Sequence, residues 1–300
     1  MVKKNNFNSK KKYVYILLFL IVIYLIEKIQ IIKKEKNSTF GKKCYLSFDR
    51  SYLKIIHIII TRFLVISSNS RKEYILNGIR VMKKFLLPSL ENQSCKEFIW
   101  ILMLGNNANI TFLKSIVNFN NTFQWYILYA KDIKRFVRNI SKGFDILITT
   151  RIDYDDRIYY DAVNDVRKEI NINKPILLHG YRRGVYFFET DNKYYEFDFK
   201  NKNGAFSVFE SLIIDLNKVN KTYNIYEFGH HFSVRKNLLQ NYKSYGIKNL
   251  NYEPAIFESG APKFVWVRQK YSCLYNSSKI EQAKKMLKDI NFNLSKFYGK

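Results

Sequence analysis

Four short runs between residues 55 and 152 are apolar on both faces: IIHIIITRF (55–63), EFIWILML (97–104), FQWYILY (123–129) and FDILITTRI (144–152). Runs of this length, rich in β-branched and aromatic residues, predict strands covered on both sides, the environment of a parallel sheet. Between them the spacing turns helical. In RKEYILNGIRVMKKFLLPSL (71–90), Tyr74, Ile75, Ile79, Met82 and Leu86 recur on one face, and Pro88 is expected to end the run. NITFLKSIVNF (109–119) predicts a short helix before the third strand. Strand and helix in alternation predict an α/β fold with an open, mostly parallel sheet flanked by helices. The pattern changes in GVYFFETDNKYYEFDF (184–199), two strands around a Thr190-Asp191-Asn192-Lys193 turn, hence a hairpin in the second half. SSKIEQAKKMLKDI (277–290), with a serine cap and Ile280, Ala283, Met286 and Leu287 at helical spacing, predicts a closing helix.

The N-terminus follows a different rule. Residues 13–26, YVYILLFLIVIYLI, carry no charge and follow a lysine-rich tail, 1-12. With EKIQII the apolar stretch reaches residue 32, about the 20 residues that span a bilayer if Glu27 and Lys28 reach for the interface. A single-pass membrane anchor over 13-32 is therefore expected, then a basic stem, 33-43, and one domain, 44-300. A cleaved signal peptide is the rival, but the segment exits through Glu, Lys, Ile and Gln rather than small residues. Lysines on both sides leave the orientation undecided. Sequons at Asn37, Asn92, Asn109 and Asn139 support a luminal domain only weakly in a chain this rich in Asn.

Charge sharpens the choice of ligand. Lys and Arg outnumber Asp and Glu 51 to 25, and residues 1–43 hold 11 Lys and 2 Glu, so 9 of the 26 net charges precede the domain and 17 remain. Such a surplus attracts phosphates, nucleic acid or an anionic membrane, although the general Lys, Asn and Ile richness accounts for part of it. Cys44, Cys95 and Cys273 lack metal-type spacing and read as small apolar residues; three cannot all pair within the chain.

Against this background, the end of the fourth strand stands out. LITTRIDYDD (147–156) packs Asp153, Asp155 and Asp156 into four positions. Carboxylates this close repel by roughly 4 kcal/mol per pair at 4 Å and an effective dielectric of 20. Two readings are open: a Mg²⁺ or Mn²⁺ site beyond a strand end, where α/β sheets bind ligands, or a solvated acidic turn paired with Arg151, Arg157 or Arg167. A divalent cation there, in a basic protein, points to a diphosphate. The chain has no G-x-x-x-x-G-K-[ST] loop, G-x-G-x-x-G turn, H-E-x-x-H pair or G-x-S-x-G elbow, which argues against P-loop, dinucleotide, zinc-hydrolase and serine-hydrolase chemistry.

Three blocks in order, ITRF (60–63), FLLPSLENQSCKEFIWILML (85–104) and LITTRIDYDD (147–156), resemble a family of rhamnosyltransferase-like glycosyltransferases with the GT-A fold. Weaker echoes follow in HGYRRGVYFF (179–188), AFSVFES (205–211) and APKFVWVRQ (261–269). The resemblance implies a GT-A-like nucleotide-diphospho-sugar transferase that moves a sugar, rhamnose by the family's label, from a nucleotide-sugar donor to a glycan or other hydroxyl acceptor. It implies Asp153 and Asp155 as carboxylates for Mn²⁺ or Mg²⁺, and Asp156 as a third ligand or a contact to the donor sugar. Arg62 and Arg151 would lie near the nucleotide, or serve as partners for the aspartates. An inverting transfer also needs a base for the acceptor hydroxyl. Glu210 is the candidate, its other reading being an exposed helical glutamate. His230 and His231 are open between ligand, acceptor contact and structural pair, and WVRQKYS (266–272) lacks the histidine expected after that strand. Two further classes compete: a basic nucleic-acid-binding or nuclease-like protein using the aspartates for metal, and a non-catalytic surface or virion protein that keeps the fold. Under the leading reading no specific nucleic-acid partner is expected.

Overall fold

The computed structural model describes residues 52–63, 72–117, 119, 122–181, 183–198, 209–219, 221–229, 233–241, 256–257, 264–268 and 288–298. The expected anchor and stem lie outside them. Among the described residues no helix is long and apolar enough to cross a membrane.

In chain order the strands are β1 (Ile55–Phe63), β2 (Ile99–Leu104), β3 (Gln124–Tyr129), β4 (Ile146–Asp153), β5 (Arg157–Ile158), β6 (Ile176–Tyr181), β7 (Arg183–Phe188), β8 (Lys193–Asp198), β9 (Glu210–Asp215), β10 (Ile256–Phe257), β11 (Phe264–Arg268) and β12 (Lys288–Ile290). The helices are α1 (Lys72–Lys84), α2 (Leu86–Glu91), α3 (Ile110–Ile116), α4 (Ala130–Ile140), α5 (Ala162–Lys168), α6 (Val234–Asn241) and α7 (Leu294–Phe297), with a 3-10 turn over Ile225–Phe228. One sheet has the order β10-β6-β9-β4-β1-β2-β3. Within it β1, β2, β3 and β4 pair in parallel and β9 alone runs against its neighbours. The predicted parallel half is thus present, and all four predicted strands form. A second sheet, β12-β8-β7-β11-β5, contains the predicted hairpin: β7 and β8 pair antiparallel around a turn in which Asn192 takes φ 53°, a conformation Asn tolerates better than most residues.

Alternation along the buried strands divides the core into two layers. Ile59, Trp100, Leu102, Ile146 and Ile148 pack with Ile75, Ile79 and Met82 of α1 and Leu113 of α3. Ile56, Ile58, Ile60, Met103 and Leu147 face the other way, against Ile133 and Val137 of α4 and Ile225 and Phe228 of the 3-10 turn. Helices therefore cover both faces, as continuous apolar strands require.

Three helical expectations need correction. Pro88 does not end the α1 run, which stops at Lys84; it sits third in α2, where a backbone N–H has no intrahelical partner and its loss costs nothing. Tyr74 is 47% exposed and turned away from the core that Ile75, Ile79 and Met82 enter. The closing helix lies mostly outside the described residues, and its last three, Lys288–Ile290, form β12 against β8. Cys95 is fully buried as expected but disulfide-bonded rather than a free apolar filler.

A polar seam crosses the first layer. His57 Nε2 shares a 2.7 Å hydrogen bond with Thr150 Oγ1, which lies 2.7 Å from Ser211 Oγ, linking β1, β4 and β9. His179 on β6 is buried edge-on to Tyr181, centroids 4.9 Å apart. Burial, followed by the charge of Arg167 and then His179, holds His57 well below the usual imidazole value, and burial pushes His179 down to about 3. Both rings are neutral in the native state, whereas the unfolded chain takes up protons below about pH 6.5. Their contribution is therefore complete above that pH and is lost as pH falls toward the folded values. Each histidine should remove about 2 kcal/mol of stability between pH 7 and pH 5. Urea melts at the two pH values measure this, and His179→Phe should flatten part of the slope.

Candidate active site

Strand order fixes where a ligand can enter. From β1 the chain proceeds outward through β2 to β3, then returns across α4 to β4 on the other side of β1. The crossovers leave the sheet on opposite faces at this point, and in open α/β sheets ligands bind beyond the carboxyl ends of the strands at such a point. The parallel register sets Arg62 beside Asp153 there.

Pleat then aims the side chains. Arg62 follows Ile56, Ile58 and Ile60 onto the α4 face, and Asp153 follows Leu147, Thr149 and Arg151 onto the same face. Arg62 Nε and Nη2 each donate to Asp153 Oδ1 at 3.1 Å, and Nη2 also reaches Oδ2 at 3.1 Å. Both side chains are partly exposed, 31% and 24%, at the carboxyl ends of the two strands.

The 3-10 turn over Ile225–Phe228 forms the wall behind them. Asn224 accepts from the Tyr226 N–H while Glu227 accepts from the Asn224 N–H, and Ile225 N–H donates to Thr149 Oγ1 at 2.9 Å. Tyr226 is thereby held under two guanidiniums, Arg151 at 4.7 Å and Arg62 at 5.9 Å from its ring centroid, with its hydroxyl donating to Ile60 O. Burial first, and the nearby Asp153 charge second, push the Tyr226 phenol above its ordinary range, so it stays protonated.

Arg151 lies deeper, with no exposed surface. Its Nη1 donates to Gly229 O at 2.8 Å and stands 3.9 Å from Glu210 Oε2, while Nε and Nη2 have no hydrogen-bond partner among the described residues. Gly229 holds φ 92°, which suits glycine, and a Cβ there would meet Ser233 Oγ at 2.7 Å.

The acidic cluster does not act as one group. Asp155 is partly exposed in the turn after β4, whereas Asp156 is 1% exposed and its Oδ1 accepts from the Val267 N–H of β11 at 3.2 Å. Among the described residues no three His, Cys, Asp or Glu side chains converge on a metal-sized point. Asp156 is buried and ties the turn to the second sheet. Of the arginines named for a solvated turn, Arg151 stands against Glu210 and Arg167 donates to Glu97, while Asp153 pairs with Arg62. Arg157 is buried against the Phe85 ring at 4.7 Å. Glu210 is neither helical nor exposed; it opens β9, fully buried opposite Arg151 in the β4–β9 register. His230 and His231 lie outside the described residues.

Asp153 and Asp155 are both partly exposed carboxylates, the ligand type that hard cations take. Mg²⁺ and Mn²⁺ are commonly held by one or two carboxylates, with phosphate oxygens and water completing the shell. The unpartnered Arg151 nitrogens and the partly exposed Arg62 supply positive charge beside those carboxylates for an anion that would share the cation.

Two participants escaped the sequence reading. Tyr226 carried one usable signal, the N-x-x-E spacing of Asn224 and Glu227 that closes the capping box. Gln93 carried only its place in the LENQS block. Its Nε2 donates to Ser89 O at 2.9 Å and Tyr159 O at 2.7 Å, and its Oε1 accepts from the Val163 N–H at 3.1 Å. That amide clamps the chain after β5 onto α2, which gives the block a structural purpose.

No family model matches the sequence, and no curated protein matches it. Among solved structures, the chain is similar to the crystal structure of S. aureus TarS 1-349 in complex with UDP, at 13% identity and TM-score 0.37 over 72% of this chain and 61% of that one. It is also similar to the inositol-1-phosphate CTP transferase from T. maritima, at 10% identity and TM-score 0.34, over 78% of this chain and 96% of that one. The chain spans about three fifths of the length of the first. Likenesses this distant carry no function across.

Proposed function

We propose that the chain is a glycosyltransferase that binds a nucleotide-sugar donor at the carboxyl ends of β1 and β4 and transfers the sugar to a hydroxyl acceptor. The observation that carries this reading is the Arg62–Asp153 pair, set in register across the point where strand order reverses. Asp153 and Asp155 would hold Mg²⁺ or Mn²⁺. Such a cation, when bound, neutralises the diphosphate as it departs. Arg62 binds the diphosphate from the strand end, and Arg151, steadied by Glu210 and the Tyr226 ring, adds fixed positive charge from beneath. Charge held in place in this way stabilises the leaving group more than flexible surface lysines would. Glu210 is thus a positioning residue for Arg151, since a carboxylate with no exposed surface does not meet an acceptor hydroxyl. An N-terminal anchor over 13-32 would hold the domain at a membrane, near lipid-linked or surface glycans.

A nuclease-like reading has less behind it, because no third carboxylate joins Asp153 and Asp155 among the described residues. The test is a panel of nucleotide sugars incubated with the full chain, with and without Mn²⁺. Release or transfer of sugar from one donor, dependent on the ion, is expected. Inertness toward every donor combined with metal-dependent cleavage of nucleic acid would transfer the case to the rival.

A further inference from the structure

We infer that Arg62 is an internal counter-ion that occupies Asp153 before ligand arrives and passes to the diphosphate when a cation takes its place. The inference rests on the donor-site reading above and adds to it an order of events and a sign of coupling.

Arg62 reaches both oxygens of Asp153, so an ion entering the Asp153 carboxylate either displaces one of those hydrogen bonds or sits against the positive guanidinium. The guanidinium cannot relieve the crowding by losing its proton. Repulsion from the ion favours its moving toward solvent. Arg62 is 31% exposed, whereas Arg151, 3.9 Å from Glu210, is wholly enclosed, and both lie over the Tyr226 ring. Tyr226 offers Arg62 a face on which to rest as it swings from the carboxylate toward an incoming anion. A divalent cation alone would strand the displaced guanidinium beside it, two positive groups together. A diphosphate alone would meet the Asp153 charge. Bound together, each removes the other's penalty. Cation and diphosphate should therefore bind with positive coupling, and linkage makes that coupling reciprocal.

The experiment titrates Mn²⁺ into the full-length chain, following the free ion by electron paramagnetic resonance, with and without UDP, GDP or dTDP. Wild type should bind Mn²⁺ weakly alone and more tightly with one of the nucleotides. Arg62→Gln removes the resident counter-ion. It should tighten Mn²⁺ binding in the absence of nucleotide by about tenfold, weaken the nucleotide, and shrink the coupling toward unity. Arg62→Lys, a cation without the bidentate fork, should fall between the two. Circular dichroism before titration confirms that each variant is folded. If wild type shows coupled binding but Arg62→Gln leaves Mn²⁺ affinity unchanged or weaker, the counter-ion role is overturned while the donor site stands. If wild type shows no coupled binding with any nucleotide, the donor site itself is wrong and this inference falls with it.

Discussion

Asp153→Asn is expected to abolish the stabilisation that Mn²⁺ and nucleoside diphosphate together confer on the full chain, while scarcely altering the melting of the unliganded protein. The contrast follows from where the carboxylate sits. Asparagine preserves shape and one acceptor for Arg62, and a pair this exposed contributes at most about 1 kcal/mol. Ligand at a hundredfold excess over its dissociation constant, by contrast, stabilises by about 2.7 kcal/mol, all of which requires the site. Melting curves with and without both ligands separate the two quantities. Asp156→Ala should behave in the opposite way. It removes a buried acceptor from the Val267 N–H and should cost about 1–3 kcal/mol of stability, yet leave the ligand-induced shift of the surviving fold in place. Equal loss of the shift in both variants would mean the turn acts as a whole and Asp153 has no special part.

Arg151→Met should destabilise the fold by roughly 3–5 kcal/mol, the largest stability change expected at the site. Arg151 and Glu210 are both fully buried with 3.9 Å between Nη1 and Oε2, on neighbouring residues of β4 and β9. Removing the guanidinium leaves a carboxylate charge in the interior and takes the cation from the Tyr226 ring. Adding Glu210→Gln to Arg151→Met should recover most of the loss, because no buried charge then remains. A double-mutant cycle by urea melts measures the coupling. Additive losses, with no recovery in the double variant, would show that the pair is not what holds Glu210.

The sheet was legible because its information is local. Residues 55–63 and 144–152 carry β-branched and other apolar residues on both faces, and such runs have few places to go other than a strand covered on both sides. Pro88 misled because a proline at the third position of a helix and one that stops a helix look alike until the preceding turn at Lys84–Phe85 is known. Tyr74 misled because helical spacing places a residue only within a broad stripe, and an aromatic can lie at its edge.

The site was legible in part. Asp153 and Arg62 are each at a strand end, but their pairing depends on the β1–β4 register, which periodicity does not encode. The divergence of Asp156 from Asp153 depends on β11, a strand 108 residues further along that happens to offer its Val267 N–H. Glu210 was open between a base and an exposed helical glutamate because AFSVFES is short and mixed, whereas its burial comes from lying between β4 and β6 in the sheet. Long-range neighbours of this kind decide which carboxylates face a ligand, and a single sequence states them only through motifs.

On the proposed reading, a cation and a diphosphate meet at the ends of β1 and β4. Crystals of the full chain grown with Mn²⁺ and the nucleotide that gives the strongest coupled binding, with diffraction recorded at the manganese edge, place the ion directly. An anomalous peak bonded to Asp153, with the diphosphate between it and Arg62, is the predicted result. A manganese peak elsewhere on the chain, or a nucleotide bound away from Arg62 and Asp153, would contradict it.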